Sequence, residues 1–151
     1  MPSTSIHIDA SPEDVWALVS DITRMGDWSP ETKSAEWVDG ATSAVVGARF
    51  KGSNKRKAPW STTCTITEAE PGRCFAFSVG KGETTWRYDL APSPSGGTDI
   101  TESFEIVKAP GAVGKALTKL GTGMPWSERE ADLVKGMEHT LARIKAAAEA
   151  S

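Results

Sequence analysis

Apolar and polar residues alternate through the middle of this chain, and the alternation gives way to helical spacing at both ends. Ser5 to Asp9 alternates weakly and predicts a first strand. Ser11 then stands as an N-cap, with Pro12 at the first helical position, where its missing N–H costs nothing. Glu13 and Asp14 place negative charge at the positive end of that helix, and Val15, Trp16 and Val19 form its apolar stripe. A second short helix or turn is predicted over Ile22 to Gly26, ended by Trp28-Ser29-Pro30, because a residue before proline avoids helical geometry. Six further strands follow: Lys33 to Val38, Ala48 to Asn54, Trp60 to Glu68, Cys74 to Val79, Trp86 to Leu90 and Ile100 to Ile106. Period-two patterns with one apolar face mark half-buried antiparallel strands. The turns between them carry Glu70-Pro71-Gly72, Gly80-Lys81-Gly82 and the run from Ala91 to Gly97.

A long helix closes the chain, from about Ser127 to Glu149, with Ser127-x-x-Glu130 as its capping box. Leu133, Val134, Met137, Thr140, Leu141, Ile144 and Ala148 share one side; Lys135, His139, Arg143 and Glu149 share the other. Such a stripe must pack on another layer, and the apolar face of the sheet is the only large surface available. A curved sheet with one helix across its open face encloses space. Between the last strand and this helix, residues 108–123 hold Pro110, four glycines and a short apolar periodicity from Ala112 to Leu120, so they form either a connector or a movable lid.

Composition narrows the class. The chain has 151 residues, enough for one domain with a sizeable core. A net charge of -3 gives no overall electrostatic reason to bind nucleic acid, and no apolar run approaches the ~18 residues of a membrane span. The N-terminus lacks a basic segment followed by an apolar core, so a cytoplasmic location is the expectation. Cys64 and Cys74 are expected on neighbouring strands; a register with Ile66 opposite Phe75 puts their sulfurs on opposite sheet faces, and no disulfide is expected.

Among residues able to do chemistry, Glu102 is the sharpest. It shares a strand face with Ile100, Phe104 and Ile106, so alternation points it inward. A carboxyl without hydration has a raised pKa and could exchange protons with a ligand, or it could be a structural acid with a hydroxyl or amide partner. Glu102→Gln is expected to alter ligand binding more than folding. Asn54, the one Asn in the chain, either shares the apolar face and orients a ligand or sits in the turn before Lys55-Arg56-Lys57. That basic run reads as solvated hairpin tip. Trp60, Trp86, Tyr88, Phe75 and Phe77 would form an aromatic wall; the two phenylalanines suit plain packing, as do Trp16 and Trp28, and Trp126 suits sealing one end of the sheet. His7 and His139 are far apart, no metal-ligand spacing occurs, and no phosphate-binding loop or nucleophile elbow is present.

The blocks Ser11-Pro12-Glu13-Asp14-Val15-Trp16, Met25-Gly26-Asp27-Trp28-Ser29-Pro30-Glu31, Gly47-Ala48-Arg49-Phe50, Trp86-Arg87-Tyr88 and Thr101-Glu102-Ser103-Phe104 resemble the SRPBCC superfamily, the START-like or helix-grip proteins. They are most similar to its bacterial polyketide cyclase/dehydrase-like members. The resemblance implies an α+β helix-grip fold over residues 1–151: a seven-stranded curved antiparallel sheet wrapped around the C-terminal helix, two short N-terminal helices and a central hydrophobic cavity. Relatives include lipid-transfer domains, hormone binders, aromatic polyketide cyclases and chaperone-activating domains, and kinship of fold does not choose among them. No universal catalytic motif carries over.

Three functions follow as expectations. The first is binding of a hydrophobic molecule, lipid-like or aromatic, between sheet and helix. Trp60, Trp86, Tyr88, Phe104, Met137 and Leu141 would supply contact area, and Asn54, Thr62 and Glu102 orientation. The second is a cyclase or dehydratase in which Glu102 or Tyr88 moves protons while proximity supplies most of the acceleration. The third is a protein-interaction module. No cofactor, metal, nucleic-acid partner or integral membrane association is expected; a homodimer would protect the edge strands.

Overall fold

The computed structural model describes residues 1–150. Strands β1 (Ser3–Ile8), β2 (Thr32–Val38), β3 (Arg49–Lys55), β4 (Pro59–Glu70), β5 (Cys74–Val79), β6 (Thr84–Pro92) and β7 (Thr98–Ile106) form one antiparallel sheet in the order β1-β7-β6-β5-β4-β3-β2. Strands β2 to β7 are a meander, and β1 closes on the last of them. Helices α1 (Pro12–Ser20) and α2 (Met25–Trp28) lie between β1 and β2, α3 (Ala112–Thr122) follows β7, and α4 (Arg129–Glu149) ends the chain. This is the helix-grip architecture.

The N-terminal signals operate as read. Ser11 Oγ accepts from the Asp14 N–H, and Pro12 opens α1. The short second segment is a 3-10 turn at Ile22–Arg24 running into α2. Helix α2 approaches β2 so closely that a Cβ on Gly26 would lie 2.2 Å from the Lys33 carbonyl oxygen. Only glycine fits, and Lys33 sits at an irregularity of the β2–β3 ladder.

Two local expectations are corrected. The capping box at Ser127 does not form: Pro125 leads into a 3-10 turn, Trp126–Glu128, and α4 begins only at Arg129, with no side-chain cap bond. Ser127 lies inside that turn, so its hydroxyl cannot stand before the helix; Glu130 and Asp132 instead place negative charge on the first turn. The β4–β5 register also differs. A bulge between Ile66 and Glu68 sets Ile66 opposite Phe77 and Cys64 opposite Val79, while Cys74 faces Glu70. The bulge absorbs one residue of β4 and shifts the pairing beyond it. Both cysteines are free and buried.

The two halves of α4 meet the sheet differently. Leu141, Ile144 and Ala148 pack into a solid core with Ile8, Val15, Ile66, Phe75 and Ile100. The preceding turns, from Leu133 to Thr140, stand off the sheet and roof a cavity. One end of the concave face is therefore filled and the other is hollow.

Candidate ligand cavity

The cavity holds about 540 Å³, within the usual ~300–1,000 Å³ of small-molecule sites. Its walls are the inward faces of β3 to β7, the roof is α4, and α2, α3 and the turn at Trp126 edge it. Alternation along the strands selects the lining: Gly52, Asn54, Trp60, Thr62, Cys64, Phe77, Val79, Thr84, Trp86, Tyr88 and Glu102 all face it. Phe50 packs edge-on to Phe77 with centroids 5.2 Å apart, giving a stiff aromatic floor.

Seven of the residues read from the sequence come together here: Asn54, Trp60, Thr62, Trp86, Tyr88, Glu102 and Met137. Phe104 and Leu141 do not line the cavity. Phe104 is buried behind Trp86, its cross-strand partner, with ring centroids 5.1 Å apart, and Leu141 belongs to the filled half of the core. Trp28 and Trp126, read from sequence as packing residues, both reach the lining, as do Thr84 and Thr140. Cys64 faces the cavity with its thiol pushed up to about 11 by burial, which makes it an inert filler.

The polar groups at the cavity wall differ in how well they are satisfied. Asn54 is buried in β3, not in a turn. Its Oδ1 accepts from Thr32 Oγ1 at 2.7 Å and its Nδ2 donates to Thr62 Oγ1 at 3.3 Å. Glu102 is different. It is 4% exposed, and Oε1 is the buried side-chain oxygen or nitrogen, among the described residues, that has no hydrogen-bond partner. Burial pushes its pKa up to about 8; hydrogen bonding to Tyr88, its neighbour across the β6–β7 ladder, acts in the opposite direction. The Tyr88 hydroxyl is itself driven well above its ordinary range, first by burial and then by the adjacent carboxyl. At neutral pH the pair is therefore mostly a neutral acid beside a neutral phenol, with one carboxyl oxygen left without a partner at the wall of an apolar cavity. Native proteins rarely leave a buried polar atom unpaired, because the cost is about 1–3 kcal/mol.

An ion-pair network borders the cavity at the start of α4. Arg129 grips Glu31 with both guanidinium nitrogens at 2.7 and 2.9 Å, and Arg56 grips Asp132 at 3.0 and 3.0 Å. A further bond from Arg129 to Asp132 at 3.0 Å joins the two pairs. Arg56 is exposed, as expected of the hairpin tip, but its guanidinium is tied down by Asp132. Burial works against the Arg129 charge, but Glu31 and Asp132 outweigh it and keep the guanidinium protonated. The network clamps the segment after α2, the β3–β4 hairpin and α4 to one another. Arg129→Ala leaves half-buried Glu31 without its two-nitrogen partner and Asp132 with Arg56 alone, and is expected to cost about 2 kcal/mol in a urea titration. No sequence motif announces these four residues, which lie as far apart as positions 31 and 132.

Helix α3 borders the mouth. Its Gly121 carbonyl accepts from the Lys57 and Ala58 amides, and a Cβ there would sit 3.2 Å from the Trp60 ring, so glycine lets the helix end lie flat on the indole.

Residues 3–149 match the family described as polyketide cyclase / dehydrase and lipid transport. The chain belongs to this family. Among solved structures it is similar to the Polyketide_cyc-like protein Cgl2372 from Corynebacterium glutamicum, at 34% identity over 98% of this chain and 84% of that one, with a TM-score of 0.53. Protein CV1439 from Chromobacterium violaceum shares the fold at 18% identity and a TM-score of 0.71, covering 98% of this chain and 96% of that one. The di-domain ARO/CYC BexL from the BE-7585A biosynthetic pathway does so at 19% identity and a TM-score of 0.70, covering 99% of this chain and 50% of that one. No curated protein matches the chain. Among the described residues no helix is long and apolar enough to cross a membrane, and no cluster of His, Cys, Asp and Glu suits a metal ion.

Proposed function

We propose that this protein binds a neutral, largely apolar small molecule in the hollow half of the helix-grip sheet, with a hydrogen-bond acceptor of the guest seated on Glu102. The observation that carries the reading is the buried Glu102 carboxyl at the cavity wall, whose Oε1 has no hydrogen-bond partner. A neutral carboxyl donates one hydrogen bond, and a ketone, ester or hydroxyl oxygen would receive it. The surrounding rings of Trp60, Trp86, Phe50 and Phe77 supply flat apolar contact. Family membership and the description of the family as cyclase, dehydrase and lipid-transport proteins support an apolar guest.

A series of equal chain length tests this. Titrated calorimetrically near pH 6.5, a long-chain methyl ketone should bind roughly 2–10-fold more tightly than the matching alkane, the net worth of one hydrogen bond. The matching fatty carboxylate should bind more weakly than the ketone, because its charge would be stripped of water beside an acid. Equal affinities across the series, or none at all, would remove the role of Glu102.

A second reading is favoured by one observation. A carboxyl that titrates near 8 can both give and take a proton at neutral pH, and Glu102 has Tyr88 beside it. Under that reading the cavity folds a poly-carbonyl chain and the pair moves protons in cyclisation or dehydration, as the ARO/CYC name of the BexL relative suggests. Turnover of such a substrate that disappears in Glu102→Gln would establish it; binding without turnover would leave the first reading standing.

A further inference from the structure

Helix α3 is attached to the molecule along one side only. Gly114, Thr118, Gly121 and Thr122 are shielded, whereas Val113, Leu117 and Leu120 are 76%, 62% and 65% exposed. Spacings of four and three put these three side chains on one outward stripe, and no residue of the helix is buried. Leu117 and Leu120 also edge the cavity, so the stripe continues into the apolar mouth. Large apolar side chains grouped in this way on a surface mark an interaction site.

Charge identifies what fits there. Residues 107–123 contain Lys108, Lys115 and Lys119 and no acidic residue. The β3–β4 hairpin adds Lys55 and Lys57, and it is held to α3 by the Lys57 and Ala58 amides donating to Gly121. Among the described residues none of these five lysines forms an ion pair. The net charge of -3 for the whole chain conceals three lysines without an acid in residues 107–123 and two more on the adjoining hairpin.

We propose that α3 and the β3–β4 hairpin dock on an anionic lipid bilayer. Val113, Leu117 and Leu120 enter the boundary between headgroups and acyl chains. The lysines, whose apolar stems let the ammonium groups reach around the helix, contact lipid phosphates. A second copy of this chain is the poorer occupant. A two-fold contact through α3 would bring lysine against lysine, with no acid in the segment to neutralise them. Docking would set the cavity mouth against the phase in which an apolar guest dissolves, but it stands independently of the ligand-binding reading and is measured without any guest.

Flotation of the purified protein with vesicles provides the test. Binding is expected to vesicles of phosphatidylcholine with about one-third phosphatidylglycerol, weakly or not at all to phosphatidylcholine alone, and to fall as salt rises. Lys115→Glu with Lys119→Glu should weaken it at least twenty-fold, at roughly fivefold for each lysine removed. Leu117→Ser with Leu120→Ser should abolish it with little change in melting temperature, since both side chains are already mostly in water. Absence of binding to anionic vesicles, or binding that survives both double substitutions, overturns the proposal. So does a concentration-dependent dimer that the leucine substitutions dissolve, because the stripe would then belong to a second copy.

Discussion

Raising the pH from about 5 to about 8.5 should destabilise the ligand-free protein by a few kcal/mol, and Glu102→Gln should remove most of that loss. The sign follows from the direction of the shift. Below the ordinary carboxyl range the acid is protonated folded or unfolded, and it contributes no pH dependence. Between that range and about 8 the unfolded chain releases the proton while the buried group keeps it, so the folded state becomes progressively less favoured. At about 1.4 kcal/mol per pH unit the limit is about 5 kcal/mol. The other contributor moving in the same direction is His7, whose pKa is raised by the hydrogen bonds its ring donates to Asp99 and then Asp9; its favourable contribution likewise disappears as it deprotonates. His7 is common to both proteins, so the difference between wild type and Glu102→Gln isolates the carboxyl. Near pH 5 the two should be almost equally stable, because glutamine copies the shape of the neutral acid. At pH 8.5 the variant should be the more stable, by urea titration. Identical pH slopes would show that Glu102 is not held neutral by burial.

The same substitution separates stability from binding. At pH 6.5 an amide can still donate to a guest, so only modest loss of ketone affinity is expected. Wild-type affinity should decline above pH 8 as the carboxyl ionises, and that of the variant should not.

The fold was legible in the sequence because its elements obey simple periodicities. Seven period-two segments, a Ser11-Pro12 helix start and one long apolar stripe leave few arrangements other than a sheet gripping a helix. Glu102 was legible for the same reason, since alternation with Ile100 and Phe104 turns it inward. Phe104 shows the limit of that reasoning. It shares the inward face, but whether an inward residue meets a guest or another side chain depends on where α4 lifts from the sheet, and that is decided by packing across the whole layer. Register past the β4 bulge was hidden because a bulge changes the count without changing the composition. The Arg56–Asp132 and Arg129–Glu31 pairs were hidden because residues distant in sequence meet only after the hairpin, α2 and α4 have docked. Arg56 also sits between two lysines, and the run as a whole reads as solvated. The charge around α3 was masked by averaging over the chain.

Filling the hollow should abolish binding while leaving the fold intact. Thr140 is buried on the face of α4 that roofs the cavity. Thr140→Phe would project a ring into space the protein does not occupy, displacing a guest without crowding packed atoms. Its melting temperature should equal or exceed that of the wild type, because apolar surface is buried and the hydroxyl is removed. A neutral naphthylamine dye titrated into wild type and Thr140→Phe gives the most direct reading. Trp28, Trp60, Trp86 and Trp126 line the cavity, so a dye held there should quench tryptophan emission and fluoresce by energy transfer, saturating at one molecule per chain. The expected result is saturable binding in the wild type, weakened at least tenfold in Thr140→Phe. Absence of saturable binding, or equal binding by both proteins, would mean that the space between sheet and helix does not receive a guest.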